Sequence, residues 1–240
     1  MKNIIVLTSG LSGSSVVTHL LSRAGYWSGH STSKKSDYDT HENSRLVELN
    51  NQLLKILGYD HDYSKVVIVE KTLQAAELVN TIDISPFKAF VDECSNQAPW
   101  IWKDPRLWVT MPFWIQLLDK NDFLVLVVDR EPSQRWISEN LRRNIQSYSY
   151  CKQYNDQIKE IIDSLISQHG LKANLLVFDM LIKNPELTLC NINEFVGSSL
   201  SMDDLLSIYN KPLYKKTRSY HDLLLAILIY LKNYKSALNT

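Results

Sequence analysis

Residues 4 to 21 read Ile4-Ile5-Val6-Leu7-Thr8-Ser9-Gly10-Leu11-Ser12-Gly13-Ser14-Ser15-Val16-Val17-Thr18-His19-Leu20-Leu21. Four apolar residues, three of them β-branched, predict a buried strand. Val16, Val17, Leu20 and Leu21 then recur at helical spacing. Between them lies a loop of small residues, Ser9, Gly10, Leu11, Ser12, Gly13, Ser14 and Ser15. A strand that feeds a helix through such a loop points backbone N–H groups and the positive end of the helix at one spot, where an oxyanion binds. The same residues also suit a plain turn before a Ser-capped helix. The Walker A pattern G-x-x-x-x-G-K-[ST] fails, because Thr8 stands for its first glycine and Ser14 for its lysine.

Working outward, short apolar runs predict further strands at Val66 to Val69, Phe123 to Val128 and Leu175 to Phe178, with Trp100 to Trp102 a fifth candidate. Helical patterns lie between them, such as Leu46, Leu49, Leu53, Leu54 and Leu57, and Ile158, Ile161, Ile162, Leu165 and Ile166. The alternation predicts an α/β fold: one domain over residues 1–240, its parallel β-sheet flanked by helices, with ligands at the carboxyl ends of the strands. Ser28 to Asp39 reads as a loop or lid, and Leu223 to Leu231 as a buried C-terminal helix too short to cross a bilayer.

Charge narrows the function. The 240 residues carry 26 Lys and Arg against 26 Asp and Glu, so the formal net charge is zero and nucleic acid is not an expected partner. Cys94, Cys151 and Cys190 form neither a disulfide framework nor a zinc spacing, and no histidine spacing suggests a metal. No export signal or transmembrane segment is expected, and a cytoplasmic location fits the cysteines.

A second anion site is expected where Phe123 to Val128 ends in Asp129-Arg130-Glu131-Pro132-Ser133-Gln134-Arg135-Trp136-Ile137-Ser138. Arg130 sits at a strand end, Pro132 suits the first turn of a helix, and Ser138 lies two turns into it. The first loop resembles the 5′-phosphosulfate loop of sulfotransferases, often R-S-G-T-S or K-S-G-T-T. The Arg, Pro and Ser resemble that family's 3′-phosphate motif, with Ser138 eight positions after Arg130. Leu175 to Gly197 resembles its late strand, with Asn184-Pro185 as a helix break and Phe195-Val196-Gly197 as a helix end. Trp102-Lys103-Asp104-Pro105-Arg106 is similar to the K-D-P-R segment of bacterial members. The loop, the 3′-phosphate motif and the late segment run in the family's order from residue 4 to about residue 197.

The resemblance implies a P-loop-like sulfotransferase fold and an enzyme that moves the sulfuryl group of 3′-phosphoadenosine 5′-phosphosulfate (PAPS) to an acceptor hydroxyl or amine. It releases adenosine 3′,5′-bisphosphate (PAP) and requires no metal. The loop Ser9 to Ser15 is expected on the 5′-phosphate, Arg130 and Ser138 on the 3′-phosphate, and Lys215 and Lys216 in a basic loop over the nucleotide. The family's loop Lys or Arg falls at Leu11, so Lys103 is expected to balance charge on the breaking bond. Glu42, ahead of His41 and Asp104, is expected to take the acceptor proton. Thr40-His41-Glu42-Asn43 is expected to open a helix, with Thr40 as its cap. The acceptor, whether small molecule, glycan or lipid, and the oligomeric state stay open. The rival readings are a P-loop kinase or NTPase with Ser15 and Asp129 on Mg²⁺, and a sulfonucleotide-binding protein without turnover.

Overall fold

A computed structural model of the chain describes residues 1–34, 39–209 and 219–237. In chain order the strands are β1 (Asn3–Leu7), β2 (Thr32–Lys34), β3 (Asp39–Asn43), β4 (Ile101–Lys103), β5 (Phe123–Asp129) and β6 (Ala173–Val177). The helices are α1 (Ser14–Arg23), α2 (Ser44–Ile56), α3 (Val69–Glu77), α4 (Ser85–Ser95), α5 (Leu107–Trp114), α6 (Pro132–Leu141), α7 (Tyr148–His169), α8 (Phe178–Lys183), α9 (Pro185–Val196), α10 (Met202–Tyr209) and α11 (Tyr220–Asn233).

β1, β4, β5 and β6 form a parallel sheet in the order β4-β1-β5-β6. Both faces are covered, which is why β1 and β5 read as unbroken apolar runs. Ile5, Leu7, Val125 and Val127 meet residues of α2, α4, α5 and α7 on one side. Ile4, Val6, Leu126 and Val128 meet α1, α8, α9 and α10 on the other. A smaller cluster joins α6, α7 and α11 through Trp136, Ile137, Cys151 and Ala226. All four strands point their carboxyl ends the same way, toward the loops after Leu7, Lys103, Asp129 and Val177.

Four expectations are corrected. Val66 to Val69 is no strand: the Tyr59 hydroxyl donates to Val66 O at 2.7 Å and accepts from Ile68 N at 3.3 Å, and α3 starts at Val69. A tyrosine takes the backbone bonds that a neighbouring strand would have needed. Thr40 to Asn43 belongs to β3, not to a helix. The α2 cap is Asn43, whose Oδ1 accepts from Arg45 N at 2.9 Å. Within the supposed loop of residues 28 to 39, Thr32–Lys34 pairs antiparallel with β3. The C-terminal helix forms, yet Leu224, Leu225, Leu228 and Leu231 are 41–58% exposed, so it is buried along one side only.

Candidate functional site

The loop after β1 folds back on itself. Thr8 Oγ1 and Ser12 Oγ share a hydrogen bond of 2.5 Å, and Gly10 N donates to Thr8 Oγ1 at 3.2 Å. Gly10, Leu11 and Gly13 all have positive φ, at 88°, 45° and 86°. Gly13 has a second reason to lack a side chain, since a Cβ there would stand 2.3 Å from the Phe178 ring. It is also the α1 N-cap, and α1 carries no side-chain cap. The Ser-capped turn is therefore not what forms, and the helix's positive end lacks an acceptor side chain of its own. Ser12 and Ser14 are buried, while Ser9, Gly10, Leu11, Gly13 and Ser15 are partly accessible.

Lys103 ends β4 beside this loop. Its side chain is 4% exposed, and Nζ lies 3.1 Å from Ser15 Oγ, 3.3 Å from Thr40 O and 2.5 Å from Glu42 Oε1. The loop, β3 and β4 thus converge on one ammonium group. Burial of such a charge is tolerable only with partners of this kind. Asp39 accepts from Thr32 Oγ1 at 2.6 Å and from His41 N at 2.7 Å, and His41 has φ 54°. This turn presents Glu42 to Lys103. The His41 ring stacks on His19 of α1 at 4.4 Å between centroids.

Asp104 is turned away. It is fully buried and accepts from Arg106 Nη1 at 2.8 Å, Arg106 N at 3.0 Å and Asn50 Nδ2 at 2.8 Å. Burial pushes its carboxyl above the usual range, against the pull of Arg106 and these hydrogen bonds. A carboxylate so enclosed supports the loop rather than meeting a ligand. The Arg106 guanidinium lies 4.9 Å over the Tyr63 ring, and burial raises the Tyr63 hydroxyl to about 12.

Across the sheet, Arg130 leaves β5 and its Nη1 donates to Ser138 Oγ at 3.1 Å. Its Nε is 3.7 Å from Asp179 Oδ1, and its Cζ lies 5.6 Å over the Phe178 ring. Asp179 also accepts from Glu131 N at 2.8 Å, so the strand end and the start of α8 are tied together. Phe178 touches both anion-site candidates, the loop at Gly13 and the guanidinium of Arg130.

Sequence reasoning missed Arg135. It is 1% exposed on α6, and it contacts Ser9 of the loop, Asn155 of α7 and Asp129 Oδ1, the last at 2.7 Å. A cation flanked by Trp136 and Ile137, on the turn that also carries Ser138, was the available signal. Because Asp129 holds Arg135 and accepts from Arg130 N at 2.8 Å, its carboxylate is engaged within the chain. Lys215 and Lys216 lie outside the described residues. Among the described residues no three His, Cys, Asp or Glu side chains group as for a metal ion.

Compared with known proteins, the sequence matches no family model and no curated protein. Solved structures do match. The sulfotransferase domain of the Synechococcus PCC 7002 olefin synthase aligns over 93% of this chain and 84% of that one, at 18% identity and a TM-score of 0.55. The sulfotransferase domain from the curacin biosynthetic pathway aligns over 93% and 82%, at 16% identity and a TM-score of 0.50. The chain has the fold of these domains.

Proposed function

We propose that this protein is a sulfotransferase that takes the sulfuryl group from PAPS. The observation that carries the reading is the pairing of two anion-site candidates at the carboxyl ends of two adjacent central strands, the loop Ser9 to Ser15 after β1 and the Arg130–Ser138 pair after β5, joined by Phe178. A bisphosphorylated nucleotide needs two such groups. The neighbouring folds support the choice of chemistry.

In this reading the loop amides and the hydroxyls of Ser12, Ser14 and Ser15 bind the 5′-phosphosulfate, while Arg130 and Ser138 bind the 3′-phosphate. Lys103 neutralises charge that develops on the bridging oxygen as its bond to sulfur breaks. That role falls to it because Leu11 brings no charge to the loop. Glu42 accepts the proton of the acceptor hydroxyl or amine as the new bond to sulfur forms. Lys103 lies 2.5 Å from Glu42, and sulfuryl oxygens bound beside it would give the ammonium a second anion and free Glu42 for the acceptor. His41, stacked on His19, borders this point.

The test is calorimetric titration with PAP and with ATP, each with and without Mg²⁺. Metal-independent preference for PAP is the expected result. Preference for Mg-ATP would move the protein to the kinase or NTPase class.

A further inference from the structure

Arg106 stands two residues after Asp104, immediately before α5, and its guanidinium is locked in place. The lock starts in the core. Asn50 Oδ1 accepts from Thr110 Oγ1 and from Trp114 Nε1, both at 2.8 Å, which leaves Asn50 Nδ2 to donate to Asp104 Oδ2 at 2.8 Å. Asp104 Oδ1 then accepts from Arg106 Nη1 at 2.8 Å, and the Tyr63 ring lies 4.9 Å from Arg106 Cζ. Only one corner of the guanidinium is used. Among the described residues Nε and Nη2 donate to nothing, and Nε is shielded from solvent. These two nitrogens form one edge of the planar group, the edge that pairs side-on with a carboxylate through two parallel hydrogen bonds. A shielded donor without an acceptor is rare in a folded chain, and a ligand that brings two oxygens to this edge satisfies it.

The group also lies within the field of Glu42. Burial works against the Arg106 charge, but Asp104, Tyr63 and Glu42 outweigh it and hold the guanidinium above its ordinary value. The charge of Glu42 bears on Tyr63 as well. Glu42, Tyr63 and Arg106 are each partly accessible, with the Arg106 side chain 16% exposed. Among the described residues Arg106 hydrogen-bonds neither to the loop Ser9 to Ser15 nor to the Arg130–Ser138 pair, so it stands apart from both candidate phosphate sites.

We propose that the free edge of Arg106 binds a carboxylate and that this carboxylate belongs to the acceptor, a hydroxy acid whose hydroxyl reaches Glu42; the acceptor role rests on the sulfotransferase reading. In the transfer the hydroxyl oxygen bonds to sulfur, the bond from sulfur to the bridging oxygen breaks to leave PAP, and the hydroxyl proton passes to Glu42. The carboxylate is unchanged. Calorimetry of the full chain with lactate and with para-hydroxybenzoate, each beside its carboxamide and each with and without PAP, tests the site. At least one acid should bind about tenfold or more tighter than its amide. Arg106→Gln should erase that difference and leave PAP affinity unchanged, while Arg106→Lys, which keeps the charge without the fork, should restore part of it. The comparison in the unaltered chain decides the matter even where melting shows that Arg106→Gln does not fold. Equal binding of acid and amide, binding of neither, or a preference that survives Arg106→Gln would overturn the proposal. PAP affinity is read on the same samples, so the two failures are told apart: no PAP binding overturns the sulfotransferase reading and the acceptor role with it, whereas intact PAP binding without acid preference overturns the Arg106 site alone.

Discussion

Gly13 is constrained twice, by a φ of 86° and by the Phe178 ring at 2.3 Å from a would-be Cβ. Gly13→Ala is expected to cost about 2 kcal/mol or more, through left-handed strain plus overpacking, and to abolish nucleotide binding. Thermal melting with and without PAP reads both effects. At Arg130, replacement by Ala should weaken PAP by about 2–3 kcal/mol, roughly 30- to 150-fold, while leaving adenosine 5′-phosphate nearly unaffected. Equal losses for the two nucleotides would remove Arg130 from the 3′-phosphate. In the proposed function Glu42→Gln should leave PAP affinity intact and lower turnover by about 10² to 10⁴-fold, measured with any acceptor that supports turnover. Unchanged turnover would acquit Glu42.

At the scale of elements, the legible parts were those written in contiguous residues. β1, its loop and α1 follow from one apolar run, one small-residue loop and one helical pattern, and β5 with α6 follows from an apolar run and Pro132. Asn184-Pro185 and Gly197 bound α9 as the sequence implied, with Gly197 left-handed at φ 71°. The hairpin β2–β3 was not legible. Thr40 and Asn43 are both good helix caps, and only pairing with Thr32–Lys34 decides that Asn43 takes the role. Likewise the leucines of α11 announced a helix, but which of them are buried depends on the shape of α6. Arg135 was hidden because its partners lie on three other segments. Removing it by Arg135→Met leaves Asp129 without its ion pair and Ser9 without its strut, an expected loss of about 3 kcal/mol. Chemical denaturation checks it.

For the whole molecule, burial sets the response to alkali. Burial raises the Tyr26, Tyr59 and Tyr63 hydroxyls and the Cys94 and Cys151 thiols to about 12. In the unfolded chain these groups ionise near their ordinary values, about 8.5 for Cys and about 10 for Tyr. The folded state therefore holds more protons, so stability is intact below about pH 8.5 and falls as the pH rises toward 12. Denaturant midpoints across that range should decline, and Cys94→Ala should flatten part of the slope. In native protein a thiol reagent should label the exposed Cys190 and spare Cys94 and Cys151.

The ring of Phe178 stands between Gly13 and Arg130. Under the proposed function, a shared wall would link the two proposed phosphate sites thermodynamically: a group settling against one face would fix the surface offered to the other. The linkage is reciprocal, so inorganic phosphate held at Arg130 should sharpen the affinity of the loop for a 5′-phosphate by the same factor that it gains in return. In the proposed function a nucleotide bearing both groups would then bind as one cooperative unit rather than as two independent anions.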